Sequence, residues 1–109
     1  MMRRELTAGR EAEKNKEVRI KLLGVFGRAY GTDEVKLRIG KDEKIREVIW
    51  KIARSSENFR RVLIDPVLES PLPNAVILIN GKEISALDGL KTSVMDGDEI
   101  TLIPVIHGG

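Results

Sequence analysis

The chain has 109 residues, one domain's worth, and can bury roughly 60–70% of its unfolded surface in one core. Nineteen Lys and Arg oppose seventeen Asp and Glu, a net charge of +2 that argues against a dedicated DNA binder. With no cysteine and one histidine, His107, the chain has no disulfide framework, thiolate zinc site, cysteine nucleophile or multi-histidine metal site.

Residues 1–16 alternate Arg, Lys and Glu with few apolar side chains. Such a segment buries too little to offset the entropy of ordering, so a disordered or marginally helical, solvated tail is expected, with a basic arm touching RNA as the alternative. No apolar stretch follows its basic residues, so it is not a secretory signal, and no run approaches the ~18 residues of a membrane span. A cytoplasmic protein is expected. The absence of glutamine beside abundant Lys, Arg and Glu fits a thermophile's composition.

The domain is expected over residues 17–103. Val18, Ile20 and Leu22 alternate with Arg19 and Lys21, predicting a half-buried strand. Gly24–Gly31 carries three glycines and reads as a connection. Val35, Leu37 and Ile39 alternate with charged residues, predicting a second strand that closes an antiparallel hairpin. Ile45, Val48, Ile49, Ile52 and Ala53 follow the i, i+3, i+4, i+7, i+8 stripe of a helix from about Asp42, the expected N-cap, to Ser55. Trp50 lies off the centre of that stripe. It is expected to cover the helix edge against the segment 59–65, with a partner contact as the alternative. That segment reads equally as a helical turn or a short strand.

Pro66, Pro71 and Pro73 make residues 66–74 a loop. Residues 75–80 are almost continuously apolar and predict a strand covered on both faces. Asn80-Gly81 predicts a type I′ hairpin turn into Lys82–Ile84. Residues 85–95 read as a short irregular or 3₁₀ piece, Asp96-Gly97-Asp98 as a tight turn and Glu99–Ile103 as the last strand. The fold class is therefore α+β: a mixed sheet of four to five strands with one main helix on one face. If the last strand pairs with the first, crossover handedness favours a parallel central pair, which by analogy is the β-grasp arrangement of ubiquitin-like proteins; the hydrophobic pattern alone does not set that strand order.

Proline is unwelcome inside a central strand, so Pro104 is expected where the last strand leaves the sheet, with residues 104–109 an extended tail. The tail ends Ile106-His107-Gly108-Gly109. Glycine has no β-carbon, so a Gly-Gly carboxylate on a stalk can enter a narrow channel in another protein. Alternation also turns Thr101, Ile103 and Val105 away from the helix and leaves Leu23 at the rim. Leu23 and Ile103 are thus candidates for an exposed partner surface, unless segment 59–74 covers them.

Residues 78–109, with their Asn-Gly hairpin, Asp-Gly-Leu element, Asp-Gly-Asp turn and terminal Gly-Gly, resemble the end of MoaD/ThiS-type sulfur carriers and of the ubiquitin-related modifier. The His-Gly-Gly ending is closer to the modifier; the molybdopterin-synthase subunit tends to carry a small residue at the position of His107. The resemblance implies a carrier rather than an enzyme. An adenylating enzyme joins Gly109 to AMP from ATP and Mg²⁺, and a persulfide donor of the sulfurtransferase or rhodanese type converts it to a thiocarboxylate. The sulfur then passes to a tRNA-thiolation enzyme, or a target lysine attacks and forms an isopeptide bond. No cofactor is bound by the chain itself. In the same resemblance Pro104, Val105, Ile106, His107 and Gly108 are tail-recognition residues. His107 reads as a contact inside the partner's channel, because it has no orienting partner or nucleophile for catalysis. The alternatives are the small subunit of molybdopterin synthase, paired with its large subunit, and a β-grasp module that binds RNA or protein through Arg60, Arg61 and the basic tail.

Overall fold

The computed structural model describes residues 16–106. The N-terminal tail before residue 16, and His107, Gly108 and Gly109, lie outside the described residues. Strand β1 spans Glu17–Leu22, helix α1 Val25–Tyr30, β2 Glu34–Arg38, α2 Ile45–Arg54 and α3 Glu57–Leu63. Strands β3 (Ala75–Ile79), β4 (Lys82–Glu83) and β5 (Glu99–Pro104) follow, with 3₁₀ turns at Ile84–Ala86 and Gly89–Lys91. The sheet is mixed and five-stranded, in the order β2-β1-β5-β3-β4. β1 pairs β2 antiparallel and β5 in parallel, as the β-grasp reading expects. No described helix is long and apolar enough to cross a membrane.

The core follows from the alternation. Val18, Ile20 and Leu22 from β1, Ile100 and Leu102 from β5, and Ile77 from β3 are buried against Ile45, Val48, Ile49 and Ile52 of α2. Each large aliphatic side chain buried in this way contributes about 1.5–3 kcal/mol. In β3 the expectation of two covered faces is corrected. Ala75, Ile77 and Ile79 are buried, but Val76 and Leu78 are only half-buried. An unbroken apolar run hides which set of side chains faces the helices. The Asn80-Gly81 turn has positive φ at both residues (50° and 83°), as type I′ requires.

The helix layer is richer than expected. Gly24–Gly31 is not a simple connection, because its six central residues form α1. Phe26 is buried and meets Phe59 of α3 edge-on (5.9 Å between ring centroids), and Tyr30 meets the same ring at 5.5 Å. Gly27 is what lets this helix lie so close to β1: a β-carbon there would stand 2.8 Å from the Leu22 carbonyl oxygen. Segment 59–65 resolves largely as helix, its start capped by Ser56 Oγ accepting the Phe59 N–H at 3.2 Å. Loop 66–74 is held from within, since Asp65 Oδ1 accepts the Val67 and Leu68 N–H groups at 2.9 and 2.8 Å.

Asp42 is not the N-cap of α2. It occupies a turn at φ 61°, and Lys44 takes the cap position in extended conformation. A bridge from Lys44 to Ser93 and the Ile45 N–H bond to the Thr92 carbonyl (2.9 Å) keep the chain straight until Ile45. Glu47 Oε1 then accepts the Lys44 N–H at 2.8 Å. Ahead of the helix, Glu43 Oε1 accepts from the Gly40 N–H (2.9 Å) and from Lys51 Nζ (2.7 Å), tying the β2–α2 loop to the helix; Oε2 is buried with no donor among the described residues. Burial pushes the Glu43 carboxyl up, but the Lys51 hydrogen bond, the Gly40 hydrogen bond and the Lys51 charge together outweigh it. The group titrates below its ordinary value.

Gly27→Ala should lower unfolding stability by about 1–3 kcal/mol, read as a shifted urea midpoint at constant slope, because strand backbone cannot yield to the added methyl. A carboxylate with a depressed folded pKa stabilises above its unfolded pKa and loses that contribution as pH falls through the folded value. The stability gap between the parent chain and Glu43→Gln should therefore be full above the ordinary glutamate value of about 4.3 and close as pH falls through the depressed folded value, measured by urea unfolding across pH.

Candidate functional site: the base of the C-terminal tail

The tail emerges from β5, the middle strand of the sheet. On one side Leu22 of β1 registers with Leu102, and the Leu23 N–H donates to the Leu102 carbonyl at 3.1 Å. The next rung of this parallel ladder would need an N–H from residue 104, and proline has none. β1 turns away at that point. Gly24 takes φ 54° and ψ −127°, a conformation open essentially only to glycine. Its missing β-carbon leaves room for the Pro104 ring, whose Cγ would lie 3.3 Å from it.

On the other side β5 stays paired. Pro104 registers with Ala75, and the Val105 N–H donates to the Asn74 carbonyl at 2.9 Å. The expectation that the strand ends before Pro104 is corrected by one residue. Proline is accepted because the donor it lacks would point where β1 has already left, while β3 holds the far edge. Pro104 thus releases β5 from one neighbour before the other.

Beyond this point the side chains open to solvent. Ile106 is 90% exposed, Val105 36% and Leu23 42%, while Ile103 and its cross-strand partner Val76 are half-buried. Both α3 and α1 lie with α2, on the face that Ile100 and Leu102 bury. Ile103 therefore points to the opposite face from α3, and the base of the tail carries an apolar rim. Sequence reasoning named Leu23, Ile103, Val105 and Ile106. It missed Asn74 and Gly24, which act through backbone and carry no distinctive side-chain signal. Among the described residues there is no cluster of three or more His, Cys, Asp or Glu that could hold a metal ion.

A five-stranded β-grasp sheet with its last strand central and running out into a tail defines the ubiquitin-like class. The sequence matches the ThiS family over residues 20–109, and the chain belongs to that family. Small archaeal modifier protein 3 of Haloferax volcanii is 26% identical over 93 residues, covering 85% of this chain and 99% of that protein. The solution structure of small archaeal modifier protein 1 from Methanosarcina acetivorans superposes with a TM-score of 0.74 at 33% identity, covering 85% of this chain and 96% of that one. Urm1 from Trypanosoma brucei has the same fold, with a TM-score of 0.70 at 16% identity over 86% of this chain and 96% of that one.

Gly24→Ala should cost about 1–3 kcal/mol of stability through its backbone conformation. It should also shift the amide resonances of Ile103 and Val105 in a ¹⁵N correlation spectrum. Unmoved resonances would show that Gly24 does not set the course of the tail.

Proposed function

We propose that the chain is a ubiquitin-like sulfur carrier and protein modifier that acts in the cytoplasm as a substrate of an adenylating enzyme. The observation that carries this reading is the ThiS family match, which runs through the tail to Gly109. A carboxylate is a poor acyl donor. Attack of the Gly109 carboxylate on the α-phosphate of ATP, with Mg²⁺ held by the partner, forms an acyl adenylate and releases pyrophosphate. The terminal sulfur of a donor's persulfide then attacks the carbonyl and AMP leaves. A second thiol, from the donor or another partner, then attacks the donor's sulfur of the resulting acyl disulfide, which forms a disulfide with that donor and leaves a thiocarboxylate at Gly109. That sulfur serves a downstream acceptor, for example in tRNA thiolation; alternatively a lysine amine takes the acyl group as an isopeptide.

In this reading the chain supplies shape rather than acid–base groups. Gly108 and Gly109 let the backbone enter the partner's channel. Val105 and Ile106 bury their exposed surface against the partner on docking, and Leu23 and Ile103 extend that contact at the base of the tail. Pro104 restricts the backbone where the tail begins, which reduces the entropy lost on entry. His107 supplies a hydrogen bond inside the channel.

The test is the intact mass of the full chain after incubation with ATP, a sulfur donor and its host's adenylating enzyme. The expected product has one oxygen replaced by sulfur, and a chain lacking Gly109 gains nothing. No adduct with an enzyme shown to be active on another carrier would overturn the reading. His107→Ala should lower kcat/KM of activation about threefold to tenfold, the worth of one hydrogen bond. An unchanged value would remove His107 from recognition.

A further inference from the structure

A cleft of about 1000 Å³ lies between α2 and α3, lined also by Pro66 and Glu69. It sits in the helix layer, apart from the tail and its apolar rim. Arg46, Trp50 and Arg54 line it from α2 at a spacing of i, i+4, i+8, which sets them along one face over about 12 Å of helix. Arg60 faces them from α3. The other cations of the cleft are engaged: Lys51 holds Glu43 at 2.7 Å and Arg61 holds Glu57 at 3.1 Å. The side chains of Arg46, Arg54 and Arg60 make no hydrogen bond or ion pair among the described residues, and all three are exposed. Trp50, the sole tryptophan, is half-buried and has the Arg54 guanidinium 5.8 Å from its ring centroid.

We propose that this cleft binds single-stranded RNA, with a base stacked on Trp50 and phosphates held by Arg46, Arg54 and Arg60. Three guanidinium groups that hold no carboxylate, one of them (Arg54) resting over the ring and displaceable by a base, surround a half-exposed indole and supply both elements of single-strand binding, a cationic track and an aromatic platform. The carboxylates of Glu47 and Glu69 line the same cleft. They can accept hydrogen bonds from a ribose 2′-hydroxyl, which DNA lacks, and the indole offers a stacking face that an acidic peptide does not use. The binding is independent of the chemistry proposed at Gly109, and the two fail separately.

Because Trp50 is the only tryptophan, its fluorescence reports the cleft directly. The full chain is titrated with a short oligouridylate, and saturable quenching is expected. With three phosphates held, the log–log salt slope should be about −2, so affinity falls about 20-fold between roughly 50 and 200 mM salt. Arg46→Ala with Arg60→Ala should make that slope shallower by about 1.4, since each phosphate contact contributes about 0.7. Trp50→Ala should weaken binding of labelled RNA at least about fivefold, while Trp50→Phe retains it. Should Trp50→Ala fail to fold, the double arginine variant, altered only at exposed positions, carries the test. That variant should still be thiocarboxylated, and a chain lacking Gly109 should still bind RNA. Absent quenching, a salt slope unchanged in the arginine variant, or equal binding of deoxythymidylate or polyglutamate would each overturn the proposal.

Discussion

Parallel pairing of β1 with β5 is the constraint on which the rest of the structure depends. It brings Arg19 beside Glu99 and Leu22 beside Leu102, residues from opposite ends of the domain. A parallel pair cannot be closed by a tight turn, so everything between the two strands serves as the connection. The helices lie across one face, and their apolar stripe meets the inward side chains of both strands. One face of the sheet is thereby buried under helices, and β5 is left in the middle of the sheet as the strand that carries the tail.

The tail depends on that position. An edge strand would fray gradually into its terminus. Here β5 is gripped on both sides as far as Leu102, and on the β3 side as far as the Val105 N–H. The tail therefore starts from a fixed point and in a fixed direction. Gly24 and Pro104 produce the asymmetry together: one bends β1 away, and the other lacks the donor that would have followed it. In the proposed role such a start helps, because the docked domain and Gly109 would then be separated by few rotatable residues.

The strands with clean alternation were legible in the sequence, as were α2 and the Asn80-Gly81 turn, because period and turn chemistry act locally. Other features were not. Helix α1 is six residues long and contains Gly27, so propensity argued against it. It exists because Phe26 and Tyr30 pack on Phe59, a contact made across the fold. The choice of Lys44 over Asp42 as cap came from its bridge to Ser93, equally distant in sequence. The half-exposure of Val76 and Leu78 depended on which face the helices occupy. At the tail, the side chains were legible from the apolar ending and its resemblance to known carriers. The backbone contacts of Gly24 and Asn74 needed the register of β5 against both its neighbours.

In the proposed chemistry the activated carboxylate belongs to Gly109, and exchange of labelled pyrophosphate into ATP by the host's adenylating enzyme measures the first chemical step alone. Exchange that depends on the full chain, and is lost on removal of Gly109 while the domain remains folded, is the predicted result. Exchange that persists without Gly109, or never exceeds the enzyme's background when the full chain is added, would contradict it.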